Sequence, residues 1–536
     1  MKLGAAALAA ALAAGVALVG CSRGTNVATG DRDQVLHRGI GPDLADLDPH
    51  MATETSYYTV LSALLEGLVA EDPVDLHPVP GVAERWDVSP DGLTYTFHLR
   101  ENARWSNGEP VTAQDFIESW RRILTPSLGA ANASQLYLIQ GAEAFNRGDA
   151  GFLQVGLRAK DGRTLTVLLE HPAPWFLSLL SGPAWMPVPI PTVAKFGGVA
   201  ARGNPWAEPG RWVGNGPFTL ASWHRGQEIV VAKSATYWDA ARVALREIHF
   251  HTFDSIDAEE RAFRAGQLHV TETLPPGKID TFAKESPQLL RADPLLGTFF
   301  LRVNVRRPVL NDARVRLALA LAIDRPAIVE RILRGGQMPA AAFTPLGLGG
   351  YAPEPVQQRQ LEEARRLLAQ AGHAGGAGLP VFDLLYNTSE SHRTIAEAVQ
   401  EMWRRDIGVQ VRLVNQDFKS TEEARSTGGY DILRSAWIAD YADPSAFLEV
   451  WRGDSSNNFT GWSNPDFDSL LFTAARTGDQ AARNALYAKA ERILLTEAPV
   501  IPIYHYMHVY LIRPSVRGWN STLLDHHPYK WVSLSP

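Results

Sequence analysis

The 536-residue sequence predicts an α/β protein of mixed strand and helix layers, because strand and helix signals alternate along its length. Residues 93–100 set Leu93, Tyr95, Phe97 and Leu99 against Thr94, Thr96 and His98, the period-two pattern of a half-buried strand. Asn107-Gly108 beside Pro110 marks a turn. Thr112-Ala113-Gln114-Asp115 then caps a helix carrying Phe116, Trp120 and Ile123. Asn311 and Asp312 open a helix with Val315, Leu319, Ala322 and Ile323 on its apolar face. A further helix carries Leu361, Ala364, Leu367, Leu368 and Ala371, and Gly372 ends it. Residues 390–405 place Ile395, Val399, Met402 and Trp403 on one side of another helix, and an alternating strand follows over residues 409–414. Pro/Gly-rich seams fall at 182–191, 203–217, 275–277, 344–355 and 372–380, and the regions near Leu296 and Met507 are candidate crossings between lobes.

Composition narrows the function. Some 45% of residues are apolar and 20% charged, and 51 Lys+Arg against 58 Asp+Glu give a net charge of −7. That balance excludes a disordered tail, a collagen or a coiled coil, and the lack of a basic block argues against nucleic acid as a partner. The length admits about three domains. Residues 1–20 combine one cation, an Ala/Leu/Val run and small residues before Cys21, which describes an export signal. The segment resembles a bacterial lipoprotein signal, which makes Cys21, the only cysteine, the lipidated first residue of the mature chain. No thiol then remains for disulfide, metal or nucleophilic chemistry. Residues 21–32, small, polar and Gly-bearing, read as a flexible tether.

No catalytic signature stands out. The sequence lacks G-x-x-x-x-G-K-[ST], H-E-x-x-H, G-x-S-x-G and a clean G-x-G-x-x-G. His505 and His508 sit three apart and His526-His527 are adjacent, but the first pair lies in a β-rich run without a carboxylate or Cys, where a buried or interfacial role is favoured over metal ligation. Glu362-Glu363 and Glu422-Glu423 fall on polar helix faces as solvated charges. Many of the 15 Trp and 14 Tyr lie beside turns or polar residues, the majority as packing and a fraction as candidates to line a cleft.

One region carries a recognisable pattern. Gly81-Val-Ala-Glu-Arg-Trp86, Asp91-Gly-Leu-Thr-Tyr-Thr-Phe-His-Leu-Arg100 and the run on to Phe116 resemble the signature of family 5 extracellular solute-binding proteins, the peptide- and nickel-type receptors of ABC importers. Leu47-Asp-Pro-His50, Asn215-Gly-Pro, Tyr237-Trp-Asp, Asn311-Asp-Ala-Arg-Val-Arg316, Leu384-Leu-Tyr-Asn-Thr-Ser389, Arg434-Ser-Ala-Trp-Ile-Ala-Asp440 and Asp454-Ser-Ser-Asn-Asn458 extend the likeness in order, closest to the oligopeptide-binding branch. The resemblance implies a class II (cluster C) periplasmic-binding-protein-like fold with two hinged lobes and three domains. Domain I would be 33–65, 193–296 and 509–536, domain II the insertion 66–192, and domain III 297–508. It implies a monomer without a cofactor that encloses short extended peptides and delivers them to a membrane permease. The rivals are a murein-peptide, nickel-chelate or opine receptor of the same family, and an envelope peptidase.

The same resemblance assigns the site residue by residue. Asp440 would hold the peptide ammonium; by itself it reads as a turn-capping Asp. Arg434 and His392 match residues near the peptide's C-terminal part, Arg425 a cleft-lining arginine, and Trp437 a ring packing on the ligand, with Ala436 and Ile438 in the same binding stretch. Phe418 stands where the family has another Trp, and Asn215-Gly216 is either a backbone contact or a turn. There are departures. The family's oligopeptide receptors have a cleft tyrosine near Asn132, a glutamate at Arg302, a glutamate near Thr53 and a lysine at Leu333, and a pair of bridged cysteines at Gly297 and Ile438. Replacing two acids by Thr53 and Arg302 is expected to make the side-chain pockets more electropositive and less tolerant of Lys/Arg-rich peptides.

Overall fold

The alternation at 93–100 forms the strand Thr94–Leu99, with Tyr95, Phe97 and Leu99 buried. In this computed structural model, residues 25–52 and 55–535 are described, so the expectations for residues 1–20, Cys21 and Thr53 lie outside the described residues. Thr112 and Asp115 close the capping box of the helix Ala113–Leu124, satisfying backbone donors at its first turn. That helix buries Phe116, Trp120 and Ile123, and Trp120 Nε1 donates to the Trp185 carbonyl at 3.0 Å. Burying three such side chains contributes roughly 5–8 kcal/mol, and Trp120→Ala would remove about 3–5 kcal/mol.

Three sheets organise the chain. The first orders Val35–Gly39, Glu247–His251, Glu228–Lys233 and Phe218–His224, with the first pair parallel and the others antiparallel. The second is an antiparallel sheet of Ala83–Val88, Thr94–Leu99, Thr164–Leu168 and Leu157–Asp161. These two share one continuous core, which joins Leu36, Ile248 and Phe250 to Phe97, Trp120 and Trp185. The third sheet has six strands, ordered Met338–Pro339, Val500–Leu511, Leu290–Val303, Ile432–Ile438, Phe382–Asn387 and Val411–Gln416. The helices Ala313–Leu321, Leu361–Gln370 and Glu390–Ile407 bury Leu319, Leu368 and Trp403 with Phe299 and Leu301, which point to one face of it. Phe300, on the alternate face, packs with Trp451, Tyr487 and Leu494.

The chain passes between these bodies on two long antiparallel strands, Leu290–Val303 and Val500–Leu511. Their register is broken by a bulge between Pro294 and Thr298, facing the Met507-to-His505 stretch. On one side of the bulge Val509 and Leu511 pack with Phe263 and Leu268; on the other, Phe299, Ile501 and Ile503 belong to the core of the third sheet.

The tether needs correction. Residues expected to be flexible over 21–32 include the helix Asn26–Asp33, whose N-cap Thr25 accepts from the Ala28 N–H. Val27 donates to the Gly266 carbonyl at 3.1 Å, and Gly30 is buried where a Cβ would lie 2.3 Å from the Val35 carbonyl oxygen. Capping and this close glycine approach dock the segment on the first sheet, which composition alone does not reveal.

Candidate functional site

A cavity of ≈ 310 Å³ opens where the three sheets' bodies meet, lined by Ala52, Tyr58, Asn132, Gly182, Asp440 and His508 among others. Asn132 and Ile438, both expected at the site, share it with Asp440. Asn132 reaches across to the Ala52 carbonyl at 2.7 Å.

Three carboxylates line this cavity, and their partners distinguish them. Asp525 makes an ion pair with His508 at 2.9 Å and a hydrogen bond with His527 Nε2 at 3.0 Å. Burial alone would lower His508, but the Asp525 carboxylate and the neighbouring Glu272 outweigh it and raise the imidazole to about 9. Glu272 lies 3.5 Å from the Arg38 guanidinium. Asp440 has neither a hydrogen bond nor an ion pair among the described residues, and burial by the cleft walls raises its carboxyl above the usual range although the side chain is open to solvent. Just outside, Glu71 is fully engaged: it accepts from Tyr58 Oη at 2.7 Å and Ser181 Oγ at 2.9 Å, and meets His526 Nδ1 at 3.0 Å. Burial pushes Glu71 up, but His526 and these donors hold it below its ordinary value. Asp440 is therefore the one of these three carboxylates without a partner among the described residues.

The strand leading to Asp440 has a free edge. Residues 432–438 pair with 297–303 throughout, whereas Phe382–Asn387 pairs with them only at Ile432 and Leu433. The Ala439 N–H donates to the Leu296 carbonyl, so in an antiparallel ladder the odd-numbered residues 437 and 435 also turn their amides to that side. Ala436 and Ile438 accordingly turn their N–H and C=O groups to the other side, where no described strand follows. Gly297 lies directly opposite Ile438, and a Cβ on it would fall 2.3 Å from Ile438 Cδ1. The glycine thus makes room for the isoleucine.

Other expected residues form separate groups. Arg434 donates to Asn387 Oδ1 at 3.2 Å and covers the Phe299 ring at 4.7 Å, with His392 packed on the same ring. Burial and then the Arg434 charge lower His392 to about 4, so its imidazole is neutral. Trp437 is half-buried, its Nε1 donating to the Ala446 carbonyl at 2.7 Å. Arg425 pairs with Glu422 and lies over Phe459, and Phe418 is 66% exposed at the start of the helix Phe418–Thr427, outside the cavity.

Two expectations are corrected. Arg302 is fully buried, donating to the backbone carbonyls of Asn457 and Asn458 and stacking over Trp451; burial lowers it to about 10. It does not line the interlobe cavity. Asn215 is also buried: its Oδ1 accepts from the Glu66 N–H at 3.1 Å and its Nδ2 donates to the Glu66 carbonyl at 2.8 Å. Gly216 allows the backbone at Leu64 within 2.5 Å of where its Cβ would stand. The pair thus packs at a chain crossing, with the Asn215 amide engaged on both its oxygen and its nitrogen. Tyr58, Glu71, Glu272, His508, Asp525 and His526 were not anticipated at the cleft; Tyr58 and His526 stack at 3.6 Å only because segments 468 positions apart meet.

With this geometry, the chain belongs to the bacterial extracellular solute-binding proteins, family 5, whose middle-region model matches residues 77–459. Its fold is the two-lobed α/β fold of periplasmic binding proteins. It is 37% identical over 527 residues to the periplasmic oligopeptide-binding protein OppA of Escherichia coli K12, covering 97% of this chain and 95% of that one. It is likewise 37% identical to the E. coli periplasmic murein peptide-binding protein MppA, covering 91% and 90%. Among solved structures it is similar to the unliganded open form of MppA (TM-score 0.81, 36% identity, 94% and 97% covered) and to Haemophilus influenzae OppA in complex with RPPGFSPFR (TM-score 0.77, 31% identity, 94% and 99% covered). No helix among the described residues is long and apolar enough to cross a membrane.

Proposed function

We propose that this protein is a peptide receptor of an ABC importer, anchored outside the membrane through Cys21, that captures short peptides and passes them unchanged to a permease. The observation that carries the reading is the alignment of an open strand edge at Ala436 and Ile438 with the carboxylate of Asp440 two residues further on, which no described residue bonds. A peptide added to this edge as an antiparallel strand satisfies the free amides in a sequence-independent way. Its ammonium then meets Asp440 and its carboxylate heads toward Arg434. At ~3.4 Å per residue, the stretch from 440 back to 434 suits peptides of about three to six residues.

Closure would use the passage at the bulge between Pro294 and Thr298 as a hinge, with 66–192 as an insertion that moves with the first sheet and 297–508 as the opposing lobe. Ligand contacts available only when the lobes close shift the open–closed equilibrium. The relatives are binding proteins, and capture requires no nucleophile–base pair.

The test is to incubate the purified mature protein with a labelled tripeptide. Saturable one-to-one binding with intact peptide recovered supports a receptor, turnover makes the protein a peptidase, and binding of murein tripeptide alone transfers the reading to the murein-peptide branch.

A further inference from the structure

A second constellation lies on the first sheet. His37 and His249 are register partners on the parallel strands Val35–Gly39 and Glu247–His251, and His251 follows on the same face. Glu228, on the adjacent antiparallel strand, is the partner of His251. These residues alternate with Leu36, Ile248, Phe250 and Ile229, which enter the core, so the imidazoles sit on the opposite face and none lines the interlobe cavity. One ring nitrogen of each histidine lies within 4.8 Å of the others, and His37 Nδ1 is 3.0 Å from His251 Nε2.

We propose that His37, His249 and His251 form a binding site for a borderline divalent transition metal of the zinc class, separate from the peptide cleft. Imidazole donors suit such ions, and Zn–N bonds of ~2.0–2.1 Å place tetrahedral ligand nitrogens about 3.3 Å apart. The His37–His251 spacing is close to that value, and His249, about a fifth exposed at 22%, has room to turn in.

The surroundings are those of a ligand set. Glu228 Oε2 is 3.2 Å from His249 Nδ1, and Glu247 Oε2 is 3.2 Å from its Nε2. Whichever nitrogen binds metal, the other donates to a carboxylate that fixes its ring. His269 stacks behind His37, its Nδ1 accepting from the His37 N–H at 2.9 Å, and its Nε2 faces Asp31 at 3.3 Å. A bound ion would pin the first strand after the N-terminal helix to a strand more than two hundred positions away in sequence.

Zinc binding to the mature protein, purified without a histidine tag and stripped with chelator, tests this by equilibrium dialysis, with cobalt absorption as an independent reading of coordination. One zinc per chain is expected, with tetrahedral cobalt bands. H249Q and H251Q should each weaken binding at least about tenfold while preserving the circular dichroism spectrum and tripeptide affinity. The D75N/H77Q variant, which dismantles the exposed Asp72–Asp75–His77 group, should bind as the parent does. No zinc bound, undiminished binding in both histidine variants, or loss in D75N/H77Q overturns the proposal.

Discussion

Asp440→Asn separates a cleft that closes over its ligand from one that stays wet. No described group bonds Asp440 in the free protein, so the change removes no native interaction and the melting temperature should hold or rise slightly. If the ligand's ammonium met this carboxylate at an open surface, the pair would contribute about 0.2–1 kcal/mol, and affinity would fall by less than about fivefold. Enclosed between the lobes, with water excluded, removing one partner costs about 3–5 kcal/mol, a loss of roughly 10²–10³-fold or more. Calorimetry with a tripeptide and its N-acetylated form completes a double-mutant cycle. The parent should lose affinity on acetylation by a similar factor, and D440N should hardly distinguish the two peptides. An unchanged affinity in D440N, or equal sensitivity to acetylation in both proteins, refutes the assignment.

Further outcomes follow from the same geometry. Because burial raises Asp440 in the free protein and an ammonium favours its ionised form, peptide affinity should be full above the free carboxyl's pKa and decline as pH falls through it, approaching tenfold per unit, with D440N showing a flat profile. Ala436→Pro removes an amide hydrogen from the free edge without breaking a native ladder bond, so calorimetry should show binding weakened by about tenfold and thermal stability little altered. Asn215→Ala leaves the Glu66 amide groups unsatisfied, which costs about 2–4 kcal/mol and lowers the melting temperature by several degrees, with peptide affinity changed less than about threefold.

Local periodicity reveals the elements well because their causes are local. Thr112 and Asp115 cap their helix by neighbouring bonds, and Tyr95, Phe97 and Leu99 alternate because the strand has one wet face. Resemblance singles out Asp440, which follows the strand Ile432–Ile438, whose last residues have a free edge. What stays hidden depends on distant segments. Arg302, expected from the resemblance at a side-chain pocket, turns its guanidinium to the carbonyls of Asn457 and Asn458. Asn215 is read as turn or contact until Glu66 arrives beside it. The histidines at 37, 249 and 251 carry no motif because their adjacency is made by a parallel strand pairing across the chain.

The common core of the first two sheets has a mechanical consequence. Since Phe97 and Trp120 are packed continuously with Leu36 and Phe250, there is no greasy seam at which one sheet's body could slide over the other. Under the hinge proposed above, the three sheets would move as two jaws about the paired strands Leu290–Val303 and Val500–Leu511. A permease that senses the proposed loaded receptor would then have that one coordinate to read.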